Sequence, residues 1–102
     1  IETKIIKRDM GWCDDVTNKF YNKEIKVNKK IGHEKLFRKD NSYDYLIVIN
    51  YNTKNIKSSI GSAIFLHLTK NYKKTKGCVT VVKKDLLIIL RLITKNSKIK
   101  IY

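Results

Sequence analysis

The chain has 102 residues, room for one domain (1–102) with one hydrophobic core and no second. Apolar residues make up 42% and charged residues 31%, which excludes a disordered tail, and no apolar run approaches the roughly 18–20 residues that a membrane-crossing helix needs. Lys and Arg outnumber Asp and Glu by 23 to 9, a net charge of +14 that points toward an anionic partner, yet Lys, Ile, Asn and Tyr supply about half of the chain and Pro is absent. That is the imprint of A/T-rich codons, so the same charge also reads as lysines set on a solvent face. No signal peptide opens the chain, and it begins at Ile1 rather than Met, which sets the expectation of an upstream segment. Two cysteines, Cys13 and Cys78, are too few for a disulfide scaffold.

In chain order, residues 1–7 alternate loosely and predict a short strand. Residues 8–22 hold Gly11, Asp14, Asp15, Asn18 and Asn22 around Trp12, Phe20 and Tyr21, and read as a long loop with aromatic anchors. Residues 24–28 suit an edge strand blunted by lysines, and 33–37 one helical turn. Residues 43–50 are rich in β-branched and aromatic side chains and give the best strand signal; 51–59 make a polar turn. Residues 60–68 predict a strand buried on both faces, with Gly61 and Ala63 allowing close packing. Regular alternation there would set Ser62 opposite His67 and put Ala63 and Phe65 on the His67 side. A lysine-rich loop, 69–77, precedes a β-branched stretch, 79–82. Leu86, Leu87, Leu90 and Ile93 then recur at helical spacing across 83–94, with Asp85 near the N-terminal end and Arg91 and Lys95 near the other, an order that suits the helix dipole. Residues 97–102 alternate and predict a last, half-buried strand. The fold class expected is mainly β with one long α-helix after Cys78.

The chemistry concentrates between positions 61 and 92. His67 ends a buried strand, and Cys78 follows a glycine beyond a short polar loop. A thiol with a nearby imidazole is the minimum for nucleophilic catalysis, because the imidazole takes the thiol proton and the thiolate attacks an acyl carbon. Gly77 lets the backbone turn tightly enough to aim N–H groups at a carbonyl oxygen. Lys70, Lys73, Lys74 and Lys76 add a positive field that favours a thiolate, hence a lowered Cys78 pKa, and attracts a carboxylate-bearing substrate. Against this, a cysteine flanked by Val79 also reads as a small buried hydrophobe. No His/Cys/Asp cluster has metal-ligand spacing.

The segments Ser62-Ala63-Ile64-Phe65-Leu66-His67, Thr75-Lys76-Gly77-Cys78-Val79 and Asp85-Leu86-Leu87 together resemble the catalytic domain of the L,D-transpeptidase (YkuD-type) family. Gly11-Trp12-Cys13-Asp14-Asp15, Tyr21-Asn22, His33-Glu34-Lys35-Leu36, Tyr43-Asp44 and Tyr51-Asn52 extend the resemblance over nearly the whole chain. It implies a mixed β-sandwich, Cys78 as nucleophile, His67 as general base, and Gly77 with the backbone around Cys78 as oxyanion hole. The substrates it implies are peptidoglycan stem peptides, joined through a thioester into 3→3 cross-links, with water in place of the amine giving L,D-carboxypeptidase activity. It implies no metal and no organic cofactor, a monomer, and a bacterial cell-envelope location reached by a targeting segment outside this chain. Thr75 stands where many members have Ser and Thr80 where they have Arg, the loop before Cys78 is short, and the usual opening strands are missing. Arg8 and Arg38 are the alternatives for an anchoring charge.

Candidate substrate-binding residues are His33, Trp12, Asp14, Thr75 and Lys76. Three of them have a plainer reading: His33 caps a short helix or sits on the surface, Trp12 plugs the core, and Asp14, with Asp15, is a turn carboxylate rather than part of an ammonium site. Cys13 is the conceivable disulfide partner that would silence Cys78. A non-catalytic nucleic-acid module is the alternative from another class. It calls for a basic stripe interleaved with aromatics, whereas the lysines here are dispersed and Arg occurs three times. No specific nucleic-acid partner is expected.

Overall fold

Two three-stranded sheets, one α-helix and a single 3-10 turn at Ser58–Ile60 make up the regular structure of the computed structural model, which describes residues 3–69 and 77–100. The first sheet has the order β2-β1-β3, with β1 (Met10–Cys13) between β2 (Glu24–Lys26) and β3 (His33–Lys35), all antiparallel. The second has the order β4-β5-β6, with β5 (Phe65–Leu68) antiparallel to β4 (Leu46–Val48) and parallel to β6 (Val79–Val81). The helix α1 (Lys83–Leu92) follows β6 and packs on β5. The protein is therefore mainly β with a single α-helix among the described residues.

Several sequence expectations are corrected. The stretch 8–22 is not all loop, for β1, the central strand of its sheet, lies inside it. Gly11 makes this possible: a Cβ there would press on the His33 ring at 3.3 Å and the Glu34 carbonyl at 3.4 Å, so the glycine lets β3 close over β1. Residues 33–37 form no helical turn. Polar as they are, His33, Glu34 and Lys35 pair with Cys13, Trp12 and Gly11, and β1 supplies the backbone partners that their own pattern does not announce. Residues 3–7 and 97–100 carry no strand, because a period-two pattern specifies a face but not a neighbouring edge. The loop lysines 70, 73, 74 and 76, with Thr75, lie outside the described residues.

Other elements agree with the pattern. The edge strand expected at 24–28 appears as β2, and those expected at 43–50 and 79–82 as β4 and β6. Helix α1 ends two residues short of the expected 94, with the Ile93 N–H closing on the Ile89 carbonyl. Leu86 is its anchor, 0% exposed, while the acidic Asp85 and basic Arg91 sit at opposite ends.

The core lies where the two sheets meet. Trp12 of β1, Leu36, Tyr43, Ala63 and Phe65 of β5 form one buried cluster, flanked by Ile6, Met10, Leu46 and Cys78. Phe65, 0% exposed, holds the rings of Trp12 at 5.2 Å and Tyr43 at 5.8 Å in edge-to-face contact. Such pairs each add about 0.5–1.5 kcal/mol beyond the area they bury. No helix among the described residues is long and apolar enough to cross a membrane.

Candidate active site

The site grows from an interruption in the strand expected at 60–68. Only Phe65–Leu68 is strand; before it, Gly61 and Ala63 take φ values of 97° and 55°. Ala63 pays a local steric penalty for a left-handed conformation, roughly 1–2 kcal/mol. Asn22 holds it there. Its Oδ1 accepts hydrogen bonds from the Ala63 N–H at 3.0 Å and the Trp12 indole at 2.8 Å, and its Nδ2 donates to the carbonyls of Asn52 at 2.6 Å and Tyr51 at 3.2 Å. Asn22 is 2% exposed, so all four bonds are made away from water, where unmade ones would cost most. Asn52 in turn secures the loop by donating to the carbonyls of Gly61 and Lys57.

Fixing Ala63 fixes Cys78. The thiol donates to the Ala63 carbonyl at 3.2 Å, and the Phe65 N–H points at its sulfur at 3.4 Å. Cys78 is half-buried and lines an open cavity of about 560 Å3 together with His67, Gly77 and Thr80. Gly77 has φ 145°, and a Cβ there would meet the Ile64 side chain at 3.2 Å, so glycine suits the position on both counts. Ser62 shares the cavity with His67, against the alternation expected, because the kink at Ala63 breaks the period of two.

His67 is oriented from two sides. Its Nδ1 lies 3.1 Å from the Leu68 carbonyl, which can only accept, so Nδ1 carries the hydrogen and the neutral ring offers Nε2 as its proton acceptor. The Tyr43 ring meets the imidazole edge-on at 5.0 Å.

The thiol pKa runs against the expectation of a lowered value. Burial pushes it up, the Phe65 N–H partly opposes that, and the negative charge of Glu34 adds to the rise. A thiol that stays protonated near neutrality calls for a base at the moment of attack rather than a resting thiolate. Tyr43 is raised further, first by burial and then by its hydrogen bond to the Glu34 carboxylate. Asp40 is held low, first by the Ser42 hydroxyl and N–H.

The remaining sequence candidates separate cleanly. His33 does not line the cavity. It shares the face of β3 that covers Gly11, and its Nδ1 is tied to the Ile31 carbonyl at 2.7 Å. Glu34, the next residue, points the other way and lines the cavity, as strand alternation requires. Trp12 is a core residue tied by its indole to Asn22, so its plainer reading holds. Asp14 is exposed, lies over Gly32 and is not part of the cavity wall. Cys13 and Cys78 are not joined in a disulfide, and Cys13 is fully buried in β1. Thr75 and Lys76 lie outside the described residues. Glu34 and Tyr43, both within the resemblance segments, and Arg38, named as an anchoring charge, line the cavity together with Asp40, which motif reading passed over. Its signal was its place among the charges ahead of the strong strand signal at 43–50.

Among the described residues no His/Cys/Asp/Glu group could hold a metal ion. Compared with known proteins, the chain matches no family model, no curated protein and no solved structure.

Proposed function

We propose that this chain is a cysteine-dependent acyltransferase of the L,D-transpeptidase (YkuD-type) class, acting on peptidoglycan stem peptides on the outer side of a bacterial cytoplasmic membrane. The observation that carries the reading is the convergence of the Cys78 sulfur, the oriented imidazole of His67 and Gly77 on one open cavity. The arrangement of the two sheets as a YkuD-like sandwich, and a monomeric state, belong to the same proposal.

In this reading His67 Nε2 takes the Cys78 proton as sulfur attacks the carbonyl of the third stem residue. Backbone N–H groups around Gly77 and Cys78 stabilise the oxyanion. The bond from that carbonyl carbon to the D-alanine nitrogen then breaks, and His67 returns the proton to the departing amine. An amine of a second stem attacks the thioester, forms the new amide and restores the thiol. No cofactor enters these steps.

The test is intact-mass analysis after incubation with a carbapenem and, separately, with a stem tetrapeptide. The expected result is one adduct on Cys78, lost in Cys78→Ala and in His67→Ala while the circular dichroism spectrum is kept. An adduct on Cys13 that persists in Cys78→Ala overturns the assignment. Dimeric muropeptides as products support transpeptidation, and tripeptides alone would replace it with hydrolysis on the same site.

A further inference from the structure

One hydrogen bond does not fix an imidazole. The bond from Nδ1 to the Leu68 carbonyl restrains the His67 ring at a single atom, and the half-buried ring lines an open cavity. Proton transfer asks for more, because Nε2 has to meet the Cys78 proton within hydrogen-bond reach and in line. The second restraint is Tyr43, whose ring meets the imidazole at 5.0 Å and 75°. Tyr43 is 5% exposed and is itself held from three sides. Its ring packs edge-to-face on Phe65 at 5.8 Å, the Arg38 guanidinium lies over it at 4.8 Å, and its hydroxyl donates to the Glu34 carboxylate. Burial first, and then that carboxylate, push the phenol pKa up, so the hydroxyl remains a donor at neutral pH.

The charged residues of the cavity wall converge on this ring. Arg38 pairs with Glu34 at 3.6 Å and with Asp40 at 2.9 Å. Asp40 accepts from the Ser42 hydroxyl at 2.7 Å and the Ser42 N–H at 3.1 Å. Ser42, the neighbour of Tyr43, then accepts the Leu68 N–H at its carbonyl, 3.0 Å away. Leu68 is also the residue whose carbonyl holds Nδ1. The ring contact and the imidazole's own hydrogen bond are therefore joined through one stretch of backbone, which ties residues 40–43 to the end of β5. Arg8, which lies over the Phe37 ring at 5.7 Å, is not part of this wall. Resting on the acyl-transfer reading, we propose that Tyr43 is a positioning residue for the reaction: tethered by its hydroxyl to Glu34, its ring sets the plane of the His67 imidazole and keeps Nε2 in line with the Cys78 thiol. Tyr43 and Glu34 neither touch the acyl carbon nor pass a proton; they act through His67.

The test follows carbapenem labelling of Cys78 in the whole chain by intact mass, resolved into a saturating rate and a half-saturating concentration across a range of pH. Tyr43→Leu is expected to lower the saturating rate about a hundredfold with the half-saturating concentration unchanged, the loss that a base displaced by about 1 Å brings. The pH profile changes with it. The unsubstituted chain reaches a plateau near neutrality, where His67 takes the proton, whereas the variant's rate keeps climbing with thiol ionisation, in parallel with its alkylation by iodoacetamide. Lost packing alone does not change the shape of that profile. Tyr43→Phe and Glu34→Ala keep the ring in the core and cut only the tether. Each is expected to slow labelling about threefold to tenfold, and the double variant no more than either, because both remove one hydrogen bond. Glu34→Gln, whose amide oxygen still accepts the hydroxyl, is expected to recover most of that rate. Saturating rates within twofold of the unsubstituted chain in Tyr43→Phe and Tyr43→Leu would overturn the proposal and leave the acyl-transfer reading standing. Losses in Tyr43→Phe and Glu34→Ala that multiply in the double variant also overturn it. If Tyr43→Leu does not fold, the two milder variants and their double decide the matter. No adduct on Cys78 of the unsubstituted chain removes the acyl-transfer reading and this proposal together.

Discussion

Each of the two sheets carries one cysteine, and the contrast between them shows how position makes reactivity. Cys13 ends the central strand of the first sheet, pairs across it with His33 and is 0% exposed. Cys78 stands one residue before β6, where the ladder has not yet begun, and opens on a cavity. The first sheet is regular and antiparallel, and what it and the segment after it offer the site is side chains: Glu34, then Arg38 and Asp40. The second is mixed, and what it offers is backbone bent out of strand geometry at Ala63 and Gly77. A thiol inside a complete ladder behaves as a small hydrophobe. A thiol at an interrupted one can meet an acyl carbon.

The largest effect that would break this comparison concerns labelling. A bulky maleimide is expected to modify Cys78 alone in the native protein and both cysteines in urea, read by peptide mapping; native labelling of Cys13 would erase the distinction. Next come the residues that bind the two sheets. Phe65→Ala should cost about 3–5 kcal/mol, as a fully buried aromatic removed from between two others. Asn22→Ala should cost roughly 2–4 kcal/mol, because it strands the Trp12 indole and the Ala63 N–H together. Urea midpoints measure both. If Asn22→Ala is neutral, the bent backbone at Ala63 holds itself and the second sheet needs nothing from residue 22.

The pH profiles sharpen the electrostatic side. Alkylation of Cys78 should show a midpoint above the ~8.5 of a free cysteine, and Glu34→Gln should move it down by removing a negative charge. Stability should fall in alkali for a related reason. The Tyr43 phenol ionises at a higher pH when folded than when unfolded, so it is without effect below the ordinary value near 10 and favours the unfolded chain as pH climbs past it. Tyr43→Phe should flatten that decline in chemical denaturation between pH 9 and 11. The smallest effect is expected at the exposed Lys4–Glu24 pair, 3.2 Å apart, where Lys4→Ala should change stability by less than about 1 kcal/mol.

What could be read along the chain was whatever depends on near neighbours. Leu86, Leu87, Leu90 and Ile93 announce a helix because 3.6-residue periodicity is local, and the apolar runs around positions 46–48 and 79–81 announce strands for the same reason. His67, Gly77 and Cys78 stood out because their chemistry is rare and their spacing short. The strand at His33–Lys35 stayed hidden because its pairing energy comes from β1, 20 to 24 positions earlier, and its own residues are polar. With the wrong element assumed there, His33 was favoured over Glu34, and one step along a pleated strand reverses the face.

The amino-acid order by itself determined the mainly β character, the helix and the residues able to do thiol chemistry, since each follows from side-chain type and short-range period. Only the tertiary structure decided which thiol is accessible, which of two adjacent polar residues faces the cavity, and that Asn22 braces Ala63 from 41 positions away. Those are properties of burial and of long-range hydrogen bonds, and neither exists until the two sheets have met.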